Sequence, residues 1–216
     1  SWSKFLYANS LEVDGIYGAI HKLTTLNNKL FFFQENAIGV AAVKDRYVIN
    51  ETTDAGQLAL GTGGILERYD YVKYNKGIIK PEHVINTITN LYCIDHNRKV
   101  LDIVGQEDIS LSVSKGINSL FRSLYRDKNS VVTIGFDPKY REVLFCITNN
   151  GVGKTLVYNE NINEFGPRSS AIPDLFISLS DQLLSFKQSV DINNIFNYAY
   201  RHNSGDIGEL YSEYKS

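Results

Sequence analysis

The sequence predicts a mainly β protein: β-propeller-like, repeated antiparallel blades or meanders with short helical connections. Three observations carry that expectation. One hairpin pattern is written three times, as Leu30-Phe31-Phe32-Phe33-Gln34-Glu35-Asn36, Leu91-Tyr92-Cys93-Ile94-Asp95-His96-Asn97 and Leu144-Phe145-Cys146-Ile147-Thr148-Asn149-Asn150. Each copy is four apolar residues, a polar turn and a second apolar run, namely Ile38 to Val43, Val100 to Val104 and Leu156 to Tyr158. The anchors Leu30, Leu91, Leu144 and, in a weaker fourth copy, Leu183 are 61, 53 and 39 residues apart. That spacing lies near the roughly 50-residue period of some propeller blades and beyond that of helical repeats. The third observation is aromatic content: 14 tyrosines and 11 phenylalanines suit strand-on-strand packing and large interfaces. Such a unit buries its apolar face only against a neighbour, so repetition implies a stacked or radial assembly.

The elements follow in order. The blade copies are expected near residues 27–50, 82–112 and 130–160, with a partial copy from 175, so that 1–186 forms the propeller-like part. In the second copy the strands read as His83 to Thr89, Leu91 to Asp95 and Lys99 to Val104. Between the second and third copies, Ile117, Leu120, Phe121 and Leu124 recur at i, i+3, i+4 and i+7, one face of a short helix within Gly116 to Asp127. This helix reads as a lid over the core or, alternatively, as a partner-binding helix. In the third copy, Asp137-Pro138-Lys139-Tyr140 suits a type I turn, with Pro presetting φ and Asp capping from the first position. It separates Ser130 to Phe136 from Glu142 to Thr148. Asn149-Asn150-Gly151 then leads into Lys154 to Asn159, and Glu160-Asn161-Ile162-Asn163 closes the next turn, which makes a meander. Residues 187–216 read as the truncated start of a further β unit, anchored by Ile195, Phe196, Tyr198 and Tyr200.

Bulk properties exclude some roles. The formal charge is −2, from 22 basic and 24 acidic residues, with no block of like charge, which disfavours duplex DNA binding through a basic surface. The longest apolar runs fall far short of the roughly 20 residues that span a bilayer. No signal-peptide pattern opens the chain. The expected class is a soluble globular protein, without sequence-specific nucleic acid binding or membrane insertion. Cys93 and Cys146 hold equivalent places in their copies and read as small buried hydrophobes. The chain contains no methionine, not even an initiator, which reads as a processed chain or an internal piece of a longer one.

Apparent catalytic and binding motifs reduce to structure. Gly151-Val152-Gly153-Lys154-Thr155 imitates the end of a P-loop, but Thr148 stands where the first glycine belongs, and the segment runs from strand to strand. Gly61-Thr62-Gly63-Gly64 resembles half a dinucleotide fingerprint without a βαβ unit around it. Glu67 and Asp70 form a conceivable glycosidase pair. Positions three apart on a strand, however, point to opposite faces. Asp95 and Asp102 flank a turn and read as solvated caps. His21, His83, His96 and His202 are scattered, without metal-ligand spacing. No catalytic, cofactor-binding or metal-binding residues are therefore expected, and no cofactor.

The order of several segments resembles the virion structural proteins of crAss-like intestinal phages, the tail muzzle or tail-stabilising proteins. These segments begin with Phe5-Leu6-Tyr7-Ala8-Asn9, Val13-Asp14-Gly15-Ile16-Tyr17-Gly18 and Lys29-Leu30-Phe31-Phe32-Phe33-Gln34-Glu35. They continue with Leu60-Gly61-Thr62-Gly63-Gly64-Ile65-Leu66, Tyr69-Asp70-Tyr71 and Leu91-Tyr92-Cys93-Ile94-Asp95. The last are Thr155-Leu156-Val157-Tyr158-Asn159-Glu160, Asn163-Glu164-Phe165 and Pro173-Asp174-Leu175-Phe176. The resemblance implies a non-enzymatic, β-rich virion component near the distal tail opening, in a symmetric homo-oligomeric ring with other tail proteins and the rest of a longer chain. Its implied role is to close or stabilise the tail end and gate genome exit. The alternative expectation is a glycan- or receptor-binding propeller module of a phage or bacterial surface protein, with Tyr69, Tyr71, Tyr74, Tyr198 and Tyr200 stacking on sugar rings.

Overall fold

The computed structural model describes residues 11–43, 48–49, 58–59, 66–104, 109–169, 171–191 and 194–203. They are mainly β, in four antiparallel sheets of three or four strands with a few short helices. A further pair, β4 (Val48–Ile49) with β5 (Leu58–Ala59), stands apart from these sheets. No helix among the described residues is long and apolar enough to cross a membrane. Two compact units divide the chain, Ser1–Leu111 and Ser112–Ser216.

In the first unit, sheet one comprises β1 (Ile20–Leu26), β2 (Lys29–Gln34), β3 (Ala37–Val43) and β6 (Leu66–Tyr74), in the order β1-β2-β3-β6. A two-residue turn joins β1 to β2, and both its residues, Asn27 and Asn28, have positive φ (51° and 59°). Asparagine tolerates that region, and the mirror-image turn matches strand twist. Sheet two is the meander β7 (Val84–Asn86), β8 (Leu91–Asp95), β9 (Val100–Val104) and β10 (Ile109–Ser110). The two sheets share a core of Leu26, Phe31, Phe33, Ile38, Ile78, Val84, Leu91, Cys93 and Val104.

In the second unit, the short helix α1 (Leu111–Ser114) is followed by α2 (Asn118–Leu124), and both lead into sheet three. That sheet is the meander β11 (Val131–Asp137), β12 (Glu142–Asn149), β13 (Val152–Asn159) and β14 (Glu164–Phe165). Sheet four is β15 (Leu175–Ser178), β16 (Leu183–Asp191) and β17 (Asn194–Arg201). Leu144 and Cys146 of β12 pack with Phe176 and Leu183, flanked by Val157 and Ile172. The Phe176 ring can lie close because Gly135 offers no side chain; a Cβ there would sit 2.5 Å from Phe176 Cγ. Helix α2 buries only Phe121, against which buried Tyr125 stacks at 6.1 Å. Its end is held to the end of β12 by the Asn149 side-chain amide, which donates to the Leu124 carbonyl.

One kind of turn recurs in three of the hairpin connections. The pairs Asp95↔Val100, Asp137↔Glu142 and Asn159↔Glu164 each close a four-residue loop. The first residue of each pair accepts two backbone N–H groups through its Oδ1. Asp95 takes Asn97 (3.0 Å) and Arg98 (3.4 Å), Asp137 takes Lys139 (3.0 Å) and Tyr140 (3.3 Å), and Asn159 takes Asn161 (2.9 Å) and Ile162 (3.3 Å). The fourth loop residue then has positive φ: Lys99 (52°), Arg141 (58°) and Asn163 (55°). A short acceptor side chain satisfies the amides that the type I turn frees, and one left-handed residue returns the chain to the ladder. The expected Asp137 turn is of this kind.

Some boundaries differ from the sequence reading. Sheet one runs from residue 20 to 74, wider than 27–50, because β1 and β6 flank the expected hairpin. The strand expected over 83–89 shortens to Val84–Asn86, since Pro81–His83 is a 3-10 turn and the Thr87 hydroxyl accepts the amides of Thr89 and Asn90. The division expected at 186/187 falls inside β16, which pairs with β17 from Leu184 to Asp191.

Sheets one and two are locked where residue 77 crosses. Ile78 N donates to the Gln34 carbonyl (3.0 Å), and the Gly77 carbonyl accepts from His96 N (3.2 Å). Asn97 Nδ2 reaches the Glu35 carbonyl (3.1 Å) and Asn36 Oδ1 (3.0 Å) from the neighbouring turn. A Cβ at Gly77 would lie 2.3 Å from the carbonyl oxygens of Gln34 and Glu35, backbone that cannot step aside. Gly77→Ala is therefore expected to cost about 1–3 kcal/mol in urea unfolding. Gly15→Ala, with nothing within 4 Å of its Cβ, should stay within about 0.5 kcal/mol of the parent.

Candidate functional site

Ionisable groups gather beneath the crossing in the first unit. Asp102, in β9, is wholly buried, with Lys76 Nζ 2.7 Å from its Oδ2 and the Ser110 hydroxyl donating to its Oδ1 at 2.6 Å. Asp95 is also wholly buried; burial pushes its carboxyl up, opposed by the backbone N–H groups of Arg98, Asn97 and Gly77. The expectation of solvated caps at Asp95 and Asp102 is thus corrected. Asp95 does cap its turn, but inside the protein, and Asp102 answers a lysine 26 residues upstream. Buried charge at a strand position persists only where a partner and hydrogen bonds are supplied, and Lys76 and Ser110 supply them. Lysine five residues before a 3-10 turn carries no local signal of that pairing.

Three histidines lie in the same unit. His83 is wholly buried, and burial, reinforced by Lys80, His96 and His21, lowers its pKa to about 4. His21 Nε2 lies 3.3 Å from Glu35 Oε1, and His96 Nδ1 lies 3.4 Å from the Gly77 carbonyl. His202, in the second unit, packs on the Phe176 ring at 5.7 Å. Among the described residues no three His, Cys, Asp or Glu side chains converge as a metal would require. Both cysteines are buried, and they are not joined in a disulfide.

The other candidates take ordinary places. Gly151 has φ 77° in the two-residue β12–β13 turn, and Gly153 is close-packed, since its Cβ would lie 2.1 Å from the Ile147 carbonyl oxygen. Thr155 pairs with Cys146 and donates through Oγ1 to the Ala171 carbonyl at 2.6 Å. The P-loop look-alike is a hairpin. Asp70 lies 3.6 Å from Arg68 Nε in an exposed pair; the side chain of Glu67 lies outside the described residues, as do Gly61-Thr62-Gly63-Gly64 and Phe5 to Asn9.

The tyrosines form a cluster that the sequence reading grasped only in part. Tyr69, Tyr71 and Tyr74 of β6 meet Phe32 of β2 and Tyr17 of the 3-10 turn Gly15–Tyr17, with neighbouring centroids 4.7 to 5.8 Å apart. Phe32 lies across Gly39, where a Cβ would come within 2.0 Å of its ring, an aromatic covering a strand glycine. Buried Gln34 fastens the Tyr17 loop: Nε2 donates to the carbonyls of Asp14 (3.0 Å) and Gly18 (2.8 Å), while Oε1 accepts from the Tyr71 hydroxyl (2.9 Å). The Phe32, Tyr69 and Tyr71 rings meet edge to face. Tyr198 and Tyr200 stack on each other at 6.2 Å in the second unit.

Repeated antiparallel sheets, two of them buried on both faces, with recurring Asx turns and the buried Lys76–Asp102 pair, define a packing scaffold. Residues 1–189 match the Crassvirus muzzle protein family, and the chain belongs to that family. The muzzle protein of Bacteroides phage crAss001 is 26% identical over 226 aligned residues, which cover all of this chain and 15% of that relative. The resemblance drawn from the ordered segments is the relationship these comparisons show.

Two expectations follow. Lys76→Ala strands the buried Asp102 carboxylate and should cost about 3–5 kcal/mol by denaturant melting, whereas the same change at Lys22 on β1 should be nearly silent. For His83 the folded pKa, about 4, lies below the unfolded value of 6.5. Its contribution is therefore complete above pH 6.5 and is lost as pH falls towards 4. Stability should drop by about 2 kcal/mol between pH 6.5 and 5, and His83→Gln should flatten that part of the curve. A parallel slope in both proteins would contradict the assignment.

Proposed function

We propose that this chain is a structural segment of a crAss-like phage virion, a propeller-like series of blades at the tail end. There it works through packed interfaces with other tail proteins and the rest of a longer muzzle polypeptide, in a symmetric ring that stabilises the tail opening and gates genome exit. The observation that carries this reading is the family match over residues 1–189. The packing supports it. In sheet two, Leu91 and Cys93 face the shared core while Tyr92, Ile94 and Leu101 on the other face are equally buried. Val143, Phe145 and Ile147 of sheet three are buried opposite Leu144 and Cys146 in the same way. Sheets that bury both faces suit serial blades. An assembly under mechanical load also suits side chains that satisfy one another, as the Lys76–Asp102–Ser110 group does. The chain spans 15% of the crAss001 relative, so the ring and its partners are properties of the larger protein.

Cross-linking mass spectrometry of purified particles tests this. Peptides of residues 11–203 should be recovered from virions in near-stoichiometric ratio to other tail proteins and cross-linked to them. Their absence from intact particles, with recovery only from the infected-cell lysate, would refute a virion role.

A further inference from the structure

Sheet four has an outer face that the shared core does not use. Register places Leu175, Phe186 and Ala199 side by side across its three strands, with Ile177, Leu184 and Arg201 in the next such row. Alternation puts them opposite Phe176, Leu183 and Ser185, which are buried. Leu175 is 51% exposed and Ile177 39%, with Ile195 on the same face at 65%, while Leu184 and Phe186 are half-buried. An antiparallel sheet with one face in water normally alternates apolar-in with polar-out. Here the second face is apolar too, and only Arg201 and the Gln188–Asn197 pair (3.2 Å) add polar groups to it. Single exposed apolar residues need no explanation, but a contiguous face of them does.

We propose that this face seats a further antiparallel sheet of the same muzzle polypeptide. The inference rests on the structural-segment reading above. Two facts select that occupant over a second copy or an unrelated protein. Within each unit, a sheet packs on the sheet next to it in sequence: one on two, and three on four. The crAss001 muzzle protein is several times longer than this chain, which aligns to 15% of it, so such a polypeptide has ample residues to form another sheet. Sheets two and three bury both faces, as sheet four would with such an occupant.

Photo-cross-linking decides it. Benzoylphenylalanine replaces Ile177 in the muzzle polypeptide that carries this sequence, the protein is irradiated, and the linked peptides are mapped. Cross-links to residues of the same polypeptide outside 1–216 are the expected result. Links to a second copy or to another virion protein overturn the proposal while leaving the virion reading intact. No link at all, or a muzzle polypeptide with no residues outside 1–216, also overturns it. In the same protein, Ile177→Glu should lower the unfolding temperature by several degrees. Val152→Glu, in a hairpin position 79% exposed, should not shift it. Equal, negligible shifts for both would mean that the face is wet.

Discussion

Strands such as Leu91–Asp95 and Glu142–Asn149 carry apolar side chains on both faces, so a sheet built from them is stable only between two other layers. That constraint orders the rest of the molecule. It explains why the hairpin recurs, since one copy alone would leave half its apolar surface in water, at about 25 cal/mol for each Å². It also explains why glycine appears at Gly39 and Gly135. When layers are this full, a ring can cross a neighbouring strand only where no side chain stands, and Phe32 and Phe176 cross there.

The same constraint sets where polar groups can go. Once both faces are apolar, turns and crossings are the remaining places for hydrogen bonds, and the structure concentrates them there. Asp95, Asp137 and Asn159 head their loops, while the Gly77 backbone and the Asn97 side chain stitch two sheets together. The Lys76–Asp102–Ser110 group is a charged exception within a sheet. It is tolerated because each charge meets a partner of opposite sign or a hydroxyl, and it ties the segment after β6 to β9 and β10.

Local features were legible in the sequence and long-range ones were not. The hairpins, the Asp137 turn and the strand-to-strand path of Gly151 to Thr155 depend on residues a few positions apart, where spacing speaks directly. The burial of Asp102 depends on Lys76, and nothing in either neighbourhood announces the other. The tyrosine cluster was half visible: Tyr69 and Tyr71 share a face by alternation, but Tyr17 arrives on a loop fastened by Gln34, and Phe32 comes from another strand. The division at 186/187 failed to foresee β16 because Lys187 and Gln188 interrupt the apolar run, although backbone pairing passes through them unchanged.

The Asx turn has a consequence for how such a protein changes over time. Its geometry depends on one acceptor at the head and one residue that tolerates positive φ at the tail. Of the positions between them, His96 and Asn97 also hold the crossing to sheet one and Glu160 pairs with Arg141, whereas 138–140 and 161–162 answer for little of the register. Their chemistry can be rewritten residue by residue while the sheets beneath keep their pairing. A lineage under pressure to alter its outward face thus has two of these loops open to variation, and the packing that makes the scaffold stable need not move.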